Sequence, residues 1–415
     1  MCEYKQYYTS NTKVTVNEKK PMKIVIAPDS FKENLTSLEV ATCIEKGIKR
    51  VLPRAKCVKI PMADGGEGTV QSLVDATGGK IIKKRVTGPL GQSVTARYGI
   101  LGDGQTAVIE MAEASGLPLV PKEKRDPLKT TTYGTGELIL DALEKGAKAI
   151  IIGIGGSATV DGGAGMAQAL GVQFLQKNGK VITEHGSGGM LDKITGIDMS
   201  GVDRRLKGVR ITIASDVRNP LCGRKGAAQV FGPQKGATPT MVETLDRNLK
   251  HLSDVIKSDL GFDVANRPGA GAAGGLGAGL VAFAKAKMKS GVELVVDVTG
   301  LYKHLKGADL VITGEGRVDF QTAFGKTPAG VAKAAKRFKV PVVAIGGGLA
   351  DDARGVFEHG IHGLASSAAR DMDLAEAFRK SREHLANAGE RVIRLILIGK
   401  RMQKKRRPKG RKAAE

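Results

Sequence analysis

The chain has 415 residues, is 41% hydrophobic with 56 glycines and no tryptophan, and carries a formal net charge of +23; this length buries a sizeable core and suits two domains. Its four cysteines, Cys2, Cys43, Cys57 and Cys222, stand far apart without a C-x-x-C pair, which argues against a disulfide framework or a zinc site and fits a reducing compartment. No stretch approaches the roughly 20 apolar residues of a membrane span, and residues 1–21 lack a continuous apolar run, so a soluble cytoplasmic protein with no membrane partner is expected.

In chain order, KIVIAP (23–28) reads as a short strand ending in the polar loop DSFKENLTS, and SLEVATCIEKGIKRVL (37–52) repeats apolar residues at helical spacing. CVKIPMA (57–63) is a second strand, followed by the loop DGGEGT and a helix through SLVDAT (72–77). Two β-α units in succession point to a parallel, doubly wound sheet with its functional loops at the strand C-terminal ends. KIIKKRVTGPL (80–90), QSVTARYGI (92–100) and QTAVIEMAE (105–113) then read as an antiparallel meander. A helix over 134–146, the strand-to-loop segment IIGIGGSATVDGGAGMAQAL (151–170) and the strand GVRITIASDV (208–217) come next. A second glycine-rich segment, PGAGAAGGLGAGL (268–280), leads into a helix over VAFAKAKM (281–288). ELVVDVTG (293–300), ADLVITGEG (308–316) and VPVVAIGGG (340–348) return to strands in a β-α alternation.

The predicted fold class is therefore α/β: a doubly wound, Rossmann-like parallel-sheet domain built from 22–64 and 291–398, with a second mixed α/β domain, 65–290, inserted between its halves. Residues 1–21 form an N-terminal extension. Lys400 to Lys412 alone carries nine Lys or Arg and no acid, so 399–415 reads as a solvated, disordered basic tail. Non-specific nucleic-acid attraction is the other reading of that tail.

The loop from Gly155 to Gly163 has the chemistry of a phosphate site. Glycines let the backbone approach an anion, and a following helix N-terminus attracts it. Gly155, Gly156, Ser157, Thr159, Gly162 and Gly163 are the candidates for nucleotide phosphate, and Asp161 can hold Mg²⁺ or accept a proton from an attacking hydroxyl. Gly153, Gly155 and Ala158 also satisfy a dinucleotide fingerprint, but the ribose-binding acid expected about 20 positions later is missing from VQFLQKN. Gly325-Lys326-Thr327 fails as a P-loop because Phe320 replaces its first glycine.

Asp29, Asp64, Asp216 and Glu315 each follow an apolar strand directly, and in an open α/β sheet such positions converge on one crevice. Acids beside glycines suit Mg²⁺ shared with substrate phosphates. Lys32 and Lys326 could neutralise phosphate charge, and Arg317 could grip a carboxylate. The six histidines are scattered, and no G-x-S-x-G elbow is present. Phosphoryl transfer, which needs mainly positioning and charge neutralisation, fits these residues best.

APDSFKENLTSLE (27–39), PMADGGEGT (61–69), TGPLG (87–91), GIGGSATVDGGAGMAQALG (153–171), SDVRNPLCGRKGAAQVFGPQKGA (215–237), PGAGAAGGLGAG (268–279) and ADLVITGEGRVDFQTAFGKTPAGVA (308–332) together resemble the bacterial glycerate kinase family of D-glycerate 2-kinase type. The resemblance covers roughly 22–398. It implies an ATP- and Mg²⁺-dependent phosphotransferase acting on D-glycerate, with its active site between two α/β domains, as a monomer or homodimer. In that reading Asp29, Ser30, Lys32, Asp64, Gly65, Gly66 and Glu67 line the crevice. Asp161 is the expected base, Lys32 stabilises the transferred group, and Asp64 takes part in catalysis. Arg317 and Lys32 are the carboxylate candidates, Lys326 lies on the nucleotide, and Asp216 and Glu315 hold Mg²⁺. Val160 stands where many members carry Asn. Phosphorylation at C2 is favoured over C3. The rival readings are a nicotinamide-dependent oxidoreductase of small hydroxy acids and a basic nucleic-acid-binding protein.

Overall fold

This structure, a computed structural model, describes residues 20–406. Strands β1 (Lys23–Ile26) and β2 (Lys56–Lys59) precede a meander of β3 (Lys80–Thr87), β4 (Ser93–Ile100) and β5 (Thr106–Glu110). β6 (Ala149–Gly153) follows, and β7 (Gln173–Leu175) pairs with β8 (Gly196–Asp198) in a small ribbon. The chain continues through β9 (Arg210–Ala214), β10 (Lys287–Lys289), β11 (Leu310–Val318), β12 (Val342–Leu349) and β13 (Gly363–Ser366).

One sheet runs β13-β12-β11-β1-β2 with every pair parallel. From β1 the chain steps outward to β2, then crosses back to β11 on the other side of β1, so the strand order reverses between β1 and β11. Helices leaving β1 and β11 there go to opposite faces, which opens a crevice at the strand C-terminal ends. The second sheet runs β10-β9-β6-β5-β4-β3. Its β3, β4 and β5 pair antiparallel, as the meander predicted, while β5, β6, β9 and β10 are parallel.

The helix Ser37–Val51 starts at a capping box between Thr36 and Glu39 and buries Val40, Ala41, Ile44 and Ile48. They share a core with Leu385, Ala388, Val392 and Ile393 of the helix Ser381–Arg406 and with Ile24 and Ile26 of β1. The opposite face of the first sheet packs Val25, Val311 and Val342 into one cluster with Val108, Ile151 and Ala214 of the second sheet, so apolar burial ties the two sheets together.

Three expectations change. ELVVDVTG is not a strand; Gly291–Val298 is a helix. Val292, Val295 and Val296 recur at i, i+3 and i+4 and are buried, so tertiary burial of a helical face overrides the β propensity of a valine-rich run. The helix predicted over 281–288 is instead Leu276–Ala284, and the chain then enters β10. Of the basic tail at 399–415, residues 399–406 continue the helix Ser381–Arg406; residues 407–415, like residues 1–19 of the N-terminal extension, lie outside the described residues.

Candidate active site

β1 leads through Ala27 and Pro28 to Asp29, whose N–H donates to the Gly314 carbonyl at 2.8 Å. That bond fixes Asp29 at the point where the strand order reverses. Asp29 is 8% exposed. Oδ1 accepts from the Ser30 N–H at 2.7 Å and Oδ2 from the Thr327 hydroxyl at 2.5 Å. Burial, and then the nearby Asp64 charge, push Asp29 up to about 7. Asp64 follows β2 and accepts from the Gly66 N–H at 2.9 Å.

Glu315, within β11, accepts from the Thr322 hydroxyl at 2.7 Å and lies 3.4 Å from Lys326 Nζ. Burial raises its carboxyl above the usual range, against the lowering effect of Thr322 and Lys326. Lys326 also reaches Asp319 Oδ1 at 3.5 Å. Asp216 comes from the other sheet, just after β9, and accepts from the Gly291 N–H at 3.2 Å. A Cβ on Gly291 would lie 1.9 Å from the Asp64 carbonyl oxygen; only glycine allows that approach, and it brings Asp216 beside Asp64. Asp29, Asp64, Asp216, Glu315 and Lys326 therefore meet where the two sheets face each other. Lys32 and Arg317 are exposed and make no ion pair among the described residues. Ser30 and Gly66 are half-buried, Gly65 is buried and Glu67 is exposed.

The glycine-rich loop splits into two parts. Gly155 and Gly156 are exposed, whereas Thr159, Asp161, Gly162 and Gly163 are buried. Asp161 is fully buried. Its carboxylate accepts from the Thr132 N–H (2.8 Å), the Thr132 hydroxyl (2.6 Å), the Gly163 N–H (3.0 Å) and the Gly165 N–H (3.3 Å). The amides expected to meet phosphate at the start of the helix Ala164–Ala169 are thus taken by the protein's own carboxylate, and the Gly162 N–H donates to Gly274. The second glycine-rich segment closes over this part: a Cβ on Gly279 would lie 2.6 Å from the Gly162 carbonyl oxygen. Asp161, expected to face substrate, and Thr159, Gly162 and Gly163, expected to touch nucleotide, are thus all buried in the second sheet's layer.

Two residues carry no candidate role in the sequence reading. Glu110, at the end of β5, is 9% exposed and accepts from the Val70 N–H at 2.8 Å, in the first turn of the helix Thr69–Thr77. It anchors the Asp64–Gly68 loop from the other sheet, and burial pushes it up to about 7. Lys235 is 2% exposed, with Nζ donating to Ser157 Oγ (2.6 Å) and to the Thr159 carbonyl (2.7 Å). The signal for Lys235 was its place in VFGPQKGA, but a lysine between turn residues reads as surface without the contacts.

The family model for the glycerate kinase family matches residues 24–397. The chain belongs to the glycerate kinase family. A glycerate kinase of Halalkalibacterium halodurans is 57% identical over 89% of this chain and 97% of that protein. The glycerate 2-kinase of Escherichia coli is 53% identical over 92% and 99%. A crystal structure from Salmonella typhimurium, provisionally named glycerate kinase 2, superposes with a TM-score of 0.85 at 49% identity, covering 92% of this chain and all of that one. Within this family fold the dinucleotide fingerprint is a coincidence of glycines: Ala158 opens no helix, since the next helix starts at Ala164. No helix among the described residues is long and apolar enough to cross a membrane.

Proposed function

We propose that this glycerate kinase family member transfers the γ-phosphoryl group of ATP to the C2 hydroxyl of D-glycerate. The observation that carries the reading is the crevice at the strand-order reversal, where Asp29, held by Thr327, stands among Asp64, Asp216, Glu315 and Lys326. Family membership supplies the chemistry, and the name of the E. coli relative supports C2 over C3. Residues 22–64 with 291–398 form one domain and 65–290 the inserted one, and their closure excludes water from the transferred group. The reaction takes place in the cytoplasm.

Asp29 is the base. It projects from the crevice floor with its two oxygens steadied by Ser30 and Thr327, and its carboxylate takes the proton of the attacking hydroxyl. Asp161, enclosed by four donors, holds the loop instead. Lys32 and Arg317 meet phosphoryl oxygens as negative charge is redistributed during transfer. Lys326, between Glu315 and Asp319, faces the nucleotide.

The residues fit Mg²⁺. Four carboxylates converge, Lys326 is the cation paired among them, and Asp64 Oδ2 accepts no hydrogen bond among the described residues. Mg²⁺ commonly takes one or two carboxylates and shares the rest of its shell with water and phosphate. Asp216 and Glu315, with Asp64 beside them, would hold it, and it would neutralise phosphate charge.

Incubation with Mg·ATP and D-glycerate, followed by ³¹P NMR, tests the reading. A phosphoester doublet that requires D-glycerate supports it, with L-glycerate and no-acid samples as controls. A triplet would move the product to C3, and no phosphoester at all would reject the activity.

A further inference from the structure

Buried ionisable groups in proteins are normally paired, and Lys235 is an exception among the described residues. It is 2% exposed, forms no ion pair among the described residues, and donates to two neutral oxygens, Ser157 Oγ and the Thr159 carbonyl. An ammonium group has a third proton to give. Nearby, the Thr159 hydroxyl is buried without a hydrogen-bond partner among the described residues.

Lys235 lines a cavity of about 290 Å³. Leu117, Val217, Phe231 and Ala273 form apolar walls, while Gly155, Gly156 and Ser157 form a polar edge. Among the described residues, no acceptor takes the N–H of Gly155 or Gly156. The cavity adjoins the acidic crevice: Ser215 and Val217, which flank Asp216, belong to its wall, and a Cβ on Gly155 would lie 3.6 Å from Gly66 Cα.

We infer that this cavity is the subsite for the carboxylate of the hydroxy acid, with Lys235 as its counter-ion and the Ser157 hydroxyl and the Gly155 and Gly156 amides as additional donors. The inference rests on the kinase reading above. One lysine balances one carboxylate, whereas a nucleoside triphosphate carries several charges and needs the divalent cation that the acidic crevice suits. The volume suits an acid of a few carbons and is small for a whole nucleotide. A carboxylate entering here converts a buried amine without an ion pair into a charged, hydrogen-bonded pair. Lys32 and Arg317, both exposed, are thereby left for phosphoryl oxygens.

Burial pushes the Lys235 amine down to about 7, against the raising effect of the Asp161 charge, so an anion that pairs with it draws a proton from solvent. The test is titration calorimetry of the whole protein with D-glycerate at pH 8 in buffers of different ionisation enthalpy, together with steady-state kinetics. Wild type should take up most of one proton per glycerate bound. Lys235→Met should lose that uptake and raise KM for D-glycerate at least 100-fold while KM for ATP changes less than threefold. Lys235→Arg should recover part of the affinity without the uptake. If Lys235→Met does not fold, Ser157→Ala keeps the lysine and should raise KM for D-glycerate several-fold with proton uptake retained. Unchanged KM for D-glycerate in Lys235→Met, or in Ser157→Ala where only that variant folds, overturns the subsite, as does a rise confined to KM for ATP. Wild-type protein that phosphorylates no glycerate overturns the kinase reading instead.

Discussion

Asp29 and Thr327, 298 positions apart in the chain, are joined by a 2.5 Å hydrogen bond from the threonine hydroxyl to Asp29 Oδ2. Thr327 is the first residue of the helix Thr327–Lys336, directly after the Gly325-Lys326 pair. One bond therefore connects the end of β1 to the loop that carries Lys326, and it orients the carboxylate that faces the crevice.

Replacing that carboxylate by an amide removes the base; the carbonyl oxygen of Asn can still accept from Thr327, while its NH2 loses the bond that Oδ1 accepts from the Ser30 N–H. Asp29→Asn is expected to lower kcat by about 10²- to 10⁴-fold in protein that still unfolds in one cooperative thermal transition. Turnover within tenfold of wild type would end the assignment of Asp29 as base.

Asp161→Asn should act on the fold. The carboxylate satisfies three backbone N–H groups and one hydroxyl in a fully buried site, and an amide cannot accept from all of them. A loss of about 2–4 kcal/mol in urea unfolding is expected, with kcat of the folded fraction within a few-fold of wild type. Intact stability with kcat abolished would return Asp161 to the chemistry.

Glu110 should make stability depend on pH. Its pKa is raised from 4.5 to about 7 by burial, so the unfolded chain gives up this proton at lower pH than the folded one. The contribution is fully present below about pH 4.5 and is lost as pH rises through 7. Between pH 5 and 8, wild type should lose on the order of 2–3 kcal/mol relative to Glu110→Gln. Urea midpoints of both proteins at the two pH values measure this, and parallel curves would refute it.

Gly291→Ala introduces a methyl group where only 1.9 Å separates the Cβ position from the Asp64 carbonyl oxygen. The Asp64 loop and the Asp216 contact must then shift. A displacement near 1 Å is expected to cost 10-fold or more in kcat with a modest change in melting temperature; wild-type kinetics would show that the close approach is not needed for turnover.

Much of the fold is legible in the sequence because strands and helices here are local. KIVIAP and ADLVITGEG declare themselves by β-branched runs that stop at acids, and the meander by its alternation and turns. ELVVDVTG (293–300) misleads for the same reason: its valines look like a strand until a partner surface selects the helical face of Gly291–Val298. The acids after strands could be found one by one, since a carboxylate at a strand's C-terminal end is a local pattern.

The loop chemistry was only half legible. Glycine permits both close approach to an anion and close approach to another backbone, and residue type does not distinguish the two. Gly155 and Gly156 face the open cavity while Gly162 lies under Gly279, a division made by the packing of a helix more than 100 positions away in the chain.

By itself, the sequence determined the α/β class, the family and the set of acids available for phosphoryl transfer, because periodicity and motifs are written within short windows. Only the tertiary structure decided which of those acids meet solvent in one crevice, that Asp161 is sealed away, and that Lys235 is a buried amine beside Ser157 with no ion pair among the described residues. Burial and charge pairing are sums over neighbours distant in the chain, and those neighbours exist only once the two sheets have packed.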